Sequence, residues 1–279
     1  MVSRFAIALL VLAIGLLPAC PGTTGYEIVT FEAAASGPAN AVAGQPYTFS
    51  SDFGYTVQLN TAVLHVGAIY LEQSVPSSGA PPLPCTLPGN VVGEVRGLGD
   101  GSGAVGLDVN LLSPDPQPIP GGGDGSTIPA ATAQVWLTDG DVTSMTDQPP
   151  VLTVDGCASK TGAATIHFQA SITINEDRFP APANMALPGE NPICFDRIVS
   201  PIPADITLAQ GGLLLLRIDP ARLFTNVDFS GLPDPTADPA LFTNDTSNQP
   251  SINLFDNLRG ASTMVGALYQ FEWRPAASL

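Results

Sequence analysis

Basic residues are scarce in this chain. Among 279 residues there are 9 Lys and Arg against 25 Asp and Glu, which gives a net charge of −16 at pH 7. Lys160 is the only lysine, and the eight arginines are scattered along the sequence. Nucleic-acid-binding proteins neutralise rows of phosphates with clustered basic side chains. We therefore predict no nucleic-acid partner.

Histidine is equally scarce, since His65 and His167 are the only two. The sequence has no Gly-x-Ser-x-Gly elbow, no His-Glu-x-x-His pair and no Gly-Lys-Ser/Thr loop. It also has no Gly-x-Gly-x-x-Gly run that follows a strand and opens a helix. These motifs carry the nucleophile, the metal or the phosphate cradle of many enzymes. Their absence predicts a protein that is not an enzyme and has no cofactor.

The longest uncharged apolar run begins at the N-terminus. Arg4 is followed by a run from Phe5 to Leu17. As a helix this run would span about 20 Å, which is short of the roughly 30 Å hydrocarbon core of a bilayer. The pattern predicts a signal peptide over residues 1–19 rather than a membrane-spanning helix.

The end of this run, Leu17-Pro18-Ala19-Cys20, resembles the lipobox of bacterial lipoprotein precursors. The resemblance implies cleavage before Cys20, a diacylglycerol thioether on its sulfur and an acyl chain such as palmitate on its amino group. Two or three buried acyl chains anchor a protein firmly in a bilayer. Because Pro21 is not Asp, the class's inner-membrane retention signal is absent. We expect a lipid-anchored protein on the outer membrane of a Gram-negative cell, facing the periplasm or the surface.

The rest of the chain has the pattern of an all-β protein. Apolar stretches of four to ten residues alternate with clusters of Gly, Pro, Asp and Asn. Several stretches alternate apolar and polar residues, notably 105–111, 165–174 and 265–274, which is typical of antiparallel strands with one face in water. The stretch 57–73 is too long for an ordinary strand, so we predict a bend or bulge near Asn60 and Thr61. These features favour a mainly antiparallel β-sandwich.

Domain organisation follows from the same pattern. We predict a lipidated tether over residues 20–25 and a single β-sandwich domain over 26–279, because no charged or Ser-rich linker divides the chain. One short helix is predicted near 252–259, with Ser251 as its cap and Gly260 as its stop. Three Pro-rich stretches, 74–90, 113–131 and 176–204, are predicted to be long loops.

Three cysteines remain once Cys20 is lipidated, so at most one intramolecular disulfide can form. Export to an oxidising compartment favours such a bond. Cys85 and Cys194 both lie in long Pro-rich stretches, whereas Cys157 is expected in a tight turn after Asp155. We predict a Cys85–Cys194 disulfide, while Cys85–Cys157 stays open as the alternative.

A second resemblance concerns metal binding. The run from Leu216 to Phe224 is similar to a stretch of the exported copper-associated β-sandwich lipoproteins found beside methanobactin and cytochrome peroxidase-like partners. This resemblance implies copper binding, for which His65 and His167 are the only histidine ligands available. Strand parity nevertheless places His65 towards the core with Val63, and His167 on a polar face. We therefore predict no metal site and keep the two histidines as the alternative.

Aromatic residues recur at the C-terminus, where Tyr269, Phe271 and Trp273 share one face of the predicted last strand. Such a row either stacks sugar rings or closes the core, and we favour the core. Taken together, the sequence predicts an envelope lipoprotein that is a non-enzymatic binding or structural module, with an envelope protein or a glycan as partner. The alternatives are a copper-binding periplasmic lipoprotein and a carbohydrate-binding or adhesin-like surface module.

Overall fold

Strands dominate the computed structural model, which describes residues 26–74, 90–96, 105–138, 149–174, 198–244, 247–260 and 267–276. Within these ranges there are fifteen strands: β1 Ile28–Ser36, β2 Tyr47–Ser50, β3 Thr56–Val66, β4 Ala68–Glu72, β5 Val91–Val95, β6 Leu107–Asn110, β7 Gln117–Pro118, β8 Gly123–Ser126, β9 Ala130–Trp136, β10 Leu152–Ser159, β11 Ile166–Ile172, β12 Ile198–Ile206, β13 Leu213–Ile218, β14 Ala240–Leu241 and β15 Tyr269–Arg274. Two 3-10 helices, Pro220–Phe224 and Phe229–Gly231, and one α-helix, α1 Gln249–Leu258, complete the described elements.

The strands form two sheets. The larger sheet has the order β12-β9-β4-β5-β8-β1-β13-β15, with β7 also paired to β1. Its first and last strands, β12 and β15, lie next to each other, so this sheet curls round until it is nearly closed. The smaller sheet has the order β14-β11-β10-β3-β2, with β6 paired to β3. Only the β1–β13 and β11–β14 pairs are parallel among the described strands. The predicted all-β, mainly antiparallel fold is confirmed.

The long apolar stretch 57–73 crosses from one sheet to the other. Thr61 pairs with Asp155 and Leu59 pairs with Gly156, which leaves Asn60 as the extra residue of a bulge in β3. The bulge predicted near Asn60 and Thr61 is therefore confirmed. Further along, Gly67 separates β3 in the smaller sheet from β4 in the larger sheet. This crossing joins the two sheets by a single residue.

One continuous hydrophobic core runs between the sheets and includes side chains from both. The alternation predicted for 165–174 is confirmed, because Ile166, Phe168, Ala170, Ile172 and Ile174 are all buried. Phe168 on this face of β11 packs against Phe224 and Phe229 from the two 3-10 helices. These contacts explain why Phe168 is fully buried although β11 lies next to the edge strand β14.

The aromatic face of β15 also belongs to the core. Tyr269 is buried, and Phe271 and Trp273 are partly buried and pack against the core cluster. Trp273 lies edge-on to the ring of Phe31, with their centroids 5.6 Å apart. The structural interpretation of this face is confirmed for the three rings, although the face does not extend to Ala267, which is exposed.

Two of the predicted loops contain strands. The stretch 113–131 includes all of β8, which lies in the middle of the larger sheet between β5 and β1. Glycine marks turns in a sequence, but here Gly123 and Gly125 face inward, where a Cβ would lie about 2.4–2.5 Å from the side chains of Phe31 and Leu208. The prediction for 176–204 is wrong at its end, because β12 begins at Ile198.

The helix begins earlier than predicted. α1 spans Gln249–Leu258, and the side chain of Asn248 caps it by accepting a hydrogen bond from the Ser251 backbone N–H at 3.0 Å. The predicted cap, Ser251, is instead buried inside the first turn, where its Oγ accepts from the backbone N–H of Thr243 at 2.9 Å. Proline at the first helical positions is compatible with this earlier start because those N–H groups have no intrahelical partner.

Candidate functional site

The predicted cysteine sites lie mostly outside the described residues. Cys20, Cys85 and Cys194 all fall outside those ranges, so lipidation and the Cys85–Cys194 disulfide stay predictions. Cys157 has a free, half-buried thiol. Its predicted place in a tight turn is wrong, because it lies within β10. Gly156 suggested a turn, but it lies within β10. A Cβ at this position would lie 2.5 Å from the backbone O of Gln58, so the glycine permits close packing of the two strands.

His65 does not point to the core, and the parity prediction for it is wrong. Leu64 and Val66 are the buried neighbours in β3, while His65 lies on the opposite face with Val63. β3 and β4 belong to different sheets, so the alternation of buried residues in β4 does not continue back into β3. The Nδ1 atom of His65 lies 2.8 Å from Oδ1 of Asp108, an exposed residue of the neighbouring strand β6.

His167 lies on the outer face of the smaller sheet between two carboxylates. Its Nε2 is 2.9 Å from Oδ2 of Asp155, and its Nδ1 is 2.5 Å from Oδ1 of Asp238. A doubly protonated imidazole donates from both nitrogens, so hydrogen bonds to the two carboxylates favour this form. Asp238, with the larger effect, and Asp155 therefore raise the pKa of His167. Hydrogen bonds from Asn60, Gln169 and His167 lower the pKa of Asp155 to about 2. The three side chains link the sheet to the segment before β14.

The two histidines lie far apart. His167 pairs with Cys157, which pairs with Gln58 on β3, and His65 lies seven residues further along that strand. At about 3.3 Å per residue the separation is roughly 20 Å along the sheet. Within the part of the chain that the structure describes, no three His, Cys, Asp or Glu side chains are grouped to hold a metal ion. The described residues therefore offer no shared copper site for His65 and His167.

A buried carboxyl group is found in the larger sheet. Glu72, the last residue of β4, is fully buried and pairs across the strands with Thr132 of β9. Among the described residues, neither of its carboxylate oxygens has a hydrogen-bond partner. Burial raises the pKa of Glu72 to about 7, because removal from water disfavours the charged form. No sequence pattern distinguishes this carboxylate from the many exposed ones.

One cleft, with a volume of about 570 Å³, lies against β1, β5 and β8 of the larger sheet. Its polar lining comprises Thr30, Glu32, Glu94, Arg96 and Asp124, and glycines form part of its wall. Arg96 donates a hydrogen bond to Glu94, which holds the pKa of the guanidinium above its ordinary value. The positive charge is thus already neutralised, and Glu32 and Asp124 stay exposed.

A second cleft, with a volume of about 320 Å³, combines aromatic rings with polar side chains. We call it the β2 cleft, and its principal residues are Asn40, Tyr47, Phe49, Asp52, Asp219 and Arg222. β2 and the turn after it form one wall, while the first 3-10 helix forms the other. The side chain of Asp219 caps that helix by accepting from Ala221 N–H at 3.1 Å, which fixes Arg222 one turn later beside the cleft.

The rings of the β2 cleft are held in place from behind. Tyr47 and Phe49 are half-buried and project from the same face of β2, with ring centroids 6.1 Å apart. Phe49 in turn packs on Phe224, which is fully buried, at 5.8 Å. Burial and the nearby carboxylate of Asp219 raise the pKa of Tyr47 above its ordinary value. This hydroxyl donates to Oδ1 of Asn40 at 3.4 Å.

Sequence reasoning missed the β2 cleft, although one local signal was present. Tyr47 and Phe49 alternate with polar residues just before the turn at Ser51 and Asp52. Alternation of this kind indicates a strand with an aromatic face. The other wall comes from residues about 170 positions later in the chain, as the hydrogen bond from Asn226 N–H to Oδ2 of Asp52 at 2.9 Å illustrates. Local patterns carry no information about that pairing.

No known protein family, characterised protein or solved structure matches this chain. Among the described residues, no helix is both long and apolar enough to cross a membrane.

Proposed function

We propose that this protein is an envelope lipoprotein that acts as a non-enzymatic binding module, with the β2 cleft as its binding site. The observation that carries the proposal is the composition of that cleft. Half-buried rings backed by the core lie beside side chains that can donate and accept hydrogen bonds. Its volume of about 320 Å³ lies at the lower end of the roughly 300–1,000 Å³ range of small-ligand pockets, in which placed polar groups orient the ligand.

The lining of the β2 cleft supports binding rather than catalysis. A nucleophilic mechanism needs a side chain such as Ser, Cys or Lys hydrogen-bonded to a general base. Ser51 lines the cleft, but its Oγ accepts from the backbone N–H of Tyr55 at 3.2 Å. Asp219 is paired with Arg222, whose Nε donates to Oδ2 at 3.2 Å. Both histidines lie outside this cleft. These groups are arranged to hold a ligand.

The proposed tether gives a first prediction. In cells fed a clickable fatty acid, the wild-type protein should be labelled and should fractionate with the outer membrane. Cys20→Ser should lose the label, because the thioether and the new amino group both depend on this residue. The label is measured by in-gel fluorescence of the purified protein, and the mature N-terminus is identified by mass spectrometry. Label that persists in Cys20→Ser, or a mature N-terminus at another residue, would refute the tether.

The proposed binding site gives a second prediction. The full-length protein is kept in detergent micelles and mixed with cell envelopes whose lipid has been extracted with the same detergent. The amount of protein that sediments with the envelopes should reach saturation. Arg222→Ala should weaken this sedimentation at least tenfold, because it removes charged donors from the cleft; a hydrogen bond to a charged group contributes about 1.5–3 kcal/mol. The measurement is the concentration for half-saturation.

Arg274→Ala is the matched control. Arg274 is also half-exposed and also paired with a carboxylate, since its Nε donates to Oε1 of Glu272 at 2.8 Å. It lies on β15, in the other sheet from β2. Equal loss in both arginine variants, or no saturable sedimentation of the wild type, would count against the β2 cleft as a binding site.

A further inference from the structure

Hydrogen-bonding capacity in the β2 cleft is only partly used by the protein itself. Among the described residues, Nδ2 of Asn40 makes no hydrogen bond, and Arg222 makes one only through Nε. Oδ1 of Asp52 likewise accepts nothing from the described residues, since Asn226 N–H bonds to Oδ2. The cleft therefore offers a ligand two donor groups, the amide of Asn40 and the guanidinium of Arg222, and one acceptor, the carboxylate of Asp52. A ligand that both donates and accepts at neighbouring positions would satisfy them together.

The aromatic wall adds a second requirement. Tyr47 and Phe49 are held with their planes tilted by 36°, and Phe49 is fixed by the core ring of Phe224. Rings of this kind offer an apolar face with a polar tip at the tyrosine hydroxyl. A ligand for this wall needs a flat C–H surface next to its hydroxyl groups. Pyranose rings have both features.

The charges in the cleft select against acidic ligands. Asp52 and Asp219 are opposed by Arg222 alone, so the principal groups of the cleft have a net negative charge. The guanidinium is also already paired with Asp219 at 3.2 Å. A phosphate or uronate would have to displace that pairing and approach a second carboxylate, which like-charge repulsion opposes.

We infer that the β2 cleft binds a neutral saccharide, with its ring on Tyr47 and Phe49 and its hydroxyls on Asn40, Asp52 and Arg222. The inference rests on the proposed function of this cleft as a binding site and narrows it to one class of ligand. The cleft volume of about 320 Å³ suits a short stretch of glycan rather than a folded partner.

Isothermal titration of the full chain in detergent micelles tests the inference. The probes are chitohexaose, cellohexaose and mannohexaose as neutral glycans and a polygalacturonate oligomer as the acidic glycan. At least one neutral probe should bind, and the acidic probe should bind at least tenfold more weakly. Tyr47→Ala should weaken the neutral probe roughly tenfold by removing the stacking surface, and Tyr47→Phe should weaken it by about threefold through loss of the hydroxyl.

Tyr26→Ala is the control, because Tyr26 is an exposed tyrosine that does not line the cleft. This variant should bind the neutral probe with the same affinity as the wild type. Binding of the acidic probe in preference to the neutral ones overturns the inference, and so does neutral binding that Tyr47→Ala leaves unchanged. If envelope sedimentation still depends on Arg222 while no neutral probe binds, the saccharide inference fails and the binding function stands. If sedimentation is absent as well, both fail.

Discussion

Glu72→Gln should stabilise the protein at alkaline pH by about 3 kcal/mol. In the unfolded chain this carboxyl ionises near pH 4.5, whereas burial raises its folded pKa to about 7. The folded state therefore holds a proton that the unfolded state has lost, and stability falls as pH rises from about 4.5 to 7. At 1.36 kcal/mol per pH unit, the difference between ionisation at pH 4.5 and at about pH 7 corresponds to roughly 3 kcal/mol. Glutamine keeps the shape and removes the ionisation.

Urea unfolding of the full chain at pH 4.5 and pH 8.5 measures this effect. The variant and the wild type should have similar free energies of unfolding at pH 4.5. There the folded-state carboxyl is protonated and the unfolded-state carboxyl is only about half ionised. At pH 8.5 the variant should be the more stable. Glu32→Gln is the matched control, because Glu32 is an exposed carboxylate of the same sheet, and its difference should stay within about 0.5 kcal/mol at both pH values. A Glu72→Gln difference that does not change with pH would contradict the prediction.

Phe168→Ala should destabilise the protein by about 3–5 kcal/mol, which is a large part of the 5–15 kcal/mol typical of a folded domain. Phe168 is fully buried on β11. Its ring lies 4.8 Å from Phe229, 5.5 Å from Phe224 and 5.8 Å from Phe242, measured between centroids. Removal leaves a cavity lined by these three rings at the junction of the smaller sheet and the 3-10 helices.

The free energy of unfolding in urea again gives the readout. Phe53→Ala is the comparison, since Phe53 is 42% exposed and its loss should cost little. Because Phe224 also backs the ring of Phe49, we expect Phe168→Ala to loosen the β2 cleft and weaken envelope sedimentation before the chain unfolds. A loss of stability below about 1 kcal/mol would show that the junction repacks around the missing ring, and the prediction would be wrong.

The sequence was sufficient for the fold class because period-two alternation is a local property. It identified the buried faces of β11 and β15 and the bulge at Asn60. It failed at β8, where glycines that permit close packing of Phe31 were interpreted as a loop. It failed again at Cys157, where Gly156 was interpreted as a turn for the same reason. Glycine in a sequence does not reveal whether it permits a turn or a close approach.

The candidate site was less accessible than the fold. Two of its parts could be recognised locally: the alternating rings of Tyr47 and Phe49, and Asp219 as the cap of a short helix. Their juxtaposition depends on long-range packing. The same limit applies to Glu72, whose burial follows from neighbouring strands, and to His167, whose partner Asp238 is 71 residues away. Charge and composition specify which groups are present but not which of them meet.

The nearly closed larger sheet has a consequence for how copies of this protein tolerate one another. Unpaired strand edges are templates for intermolecular pairing and hence for aggregation. Here β12 and β15 face each other, so the edges of the larger sheet are mutually shielded. The described edge strands of the smaller sheet are short: β14 has two residues and β2 has four. Among the described strands, the fold therefore leaves little exposed edge through which the sheets of two copies could pair.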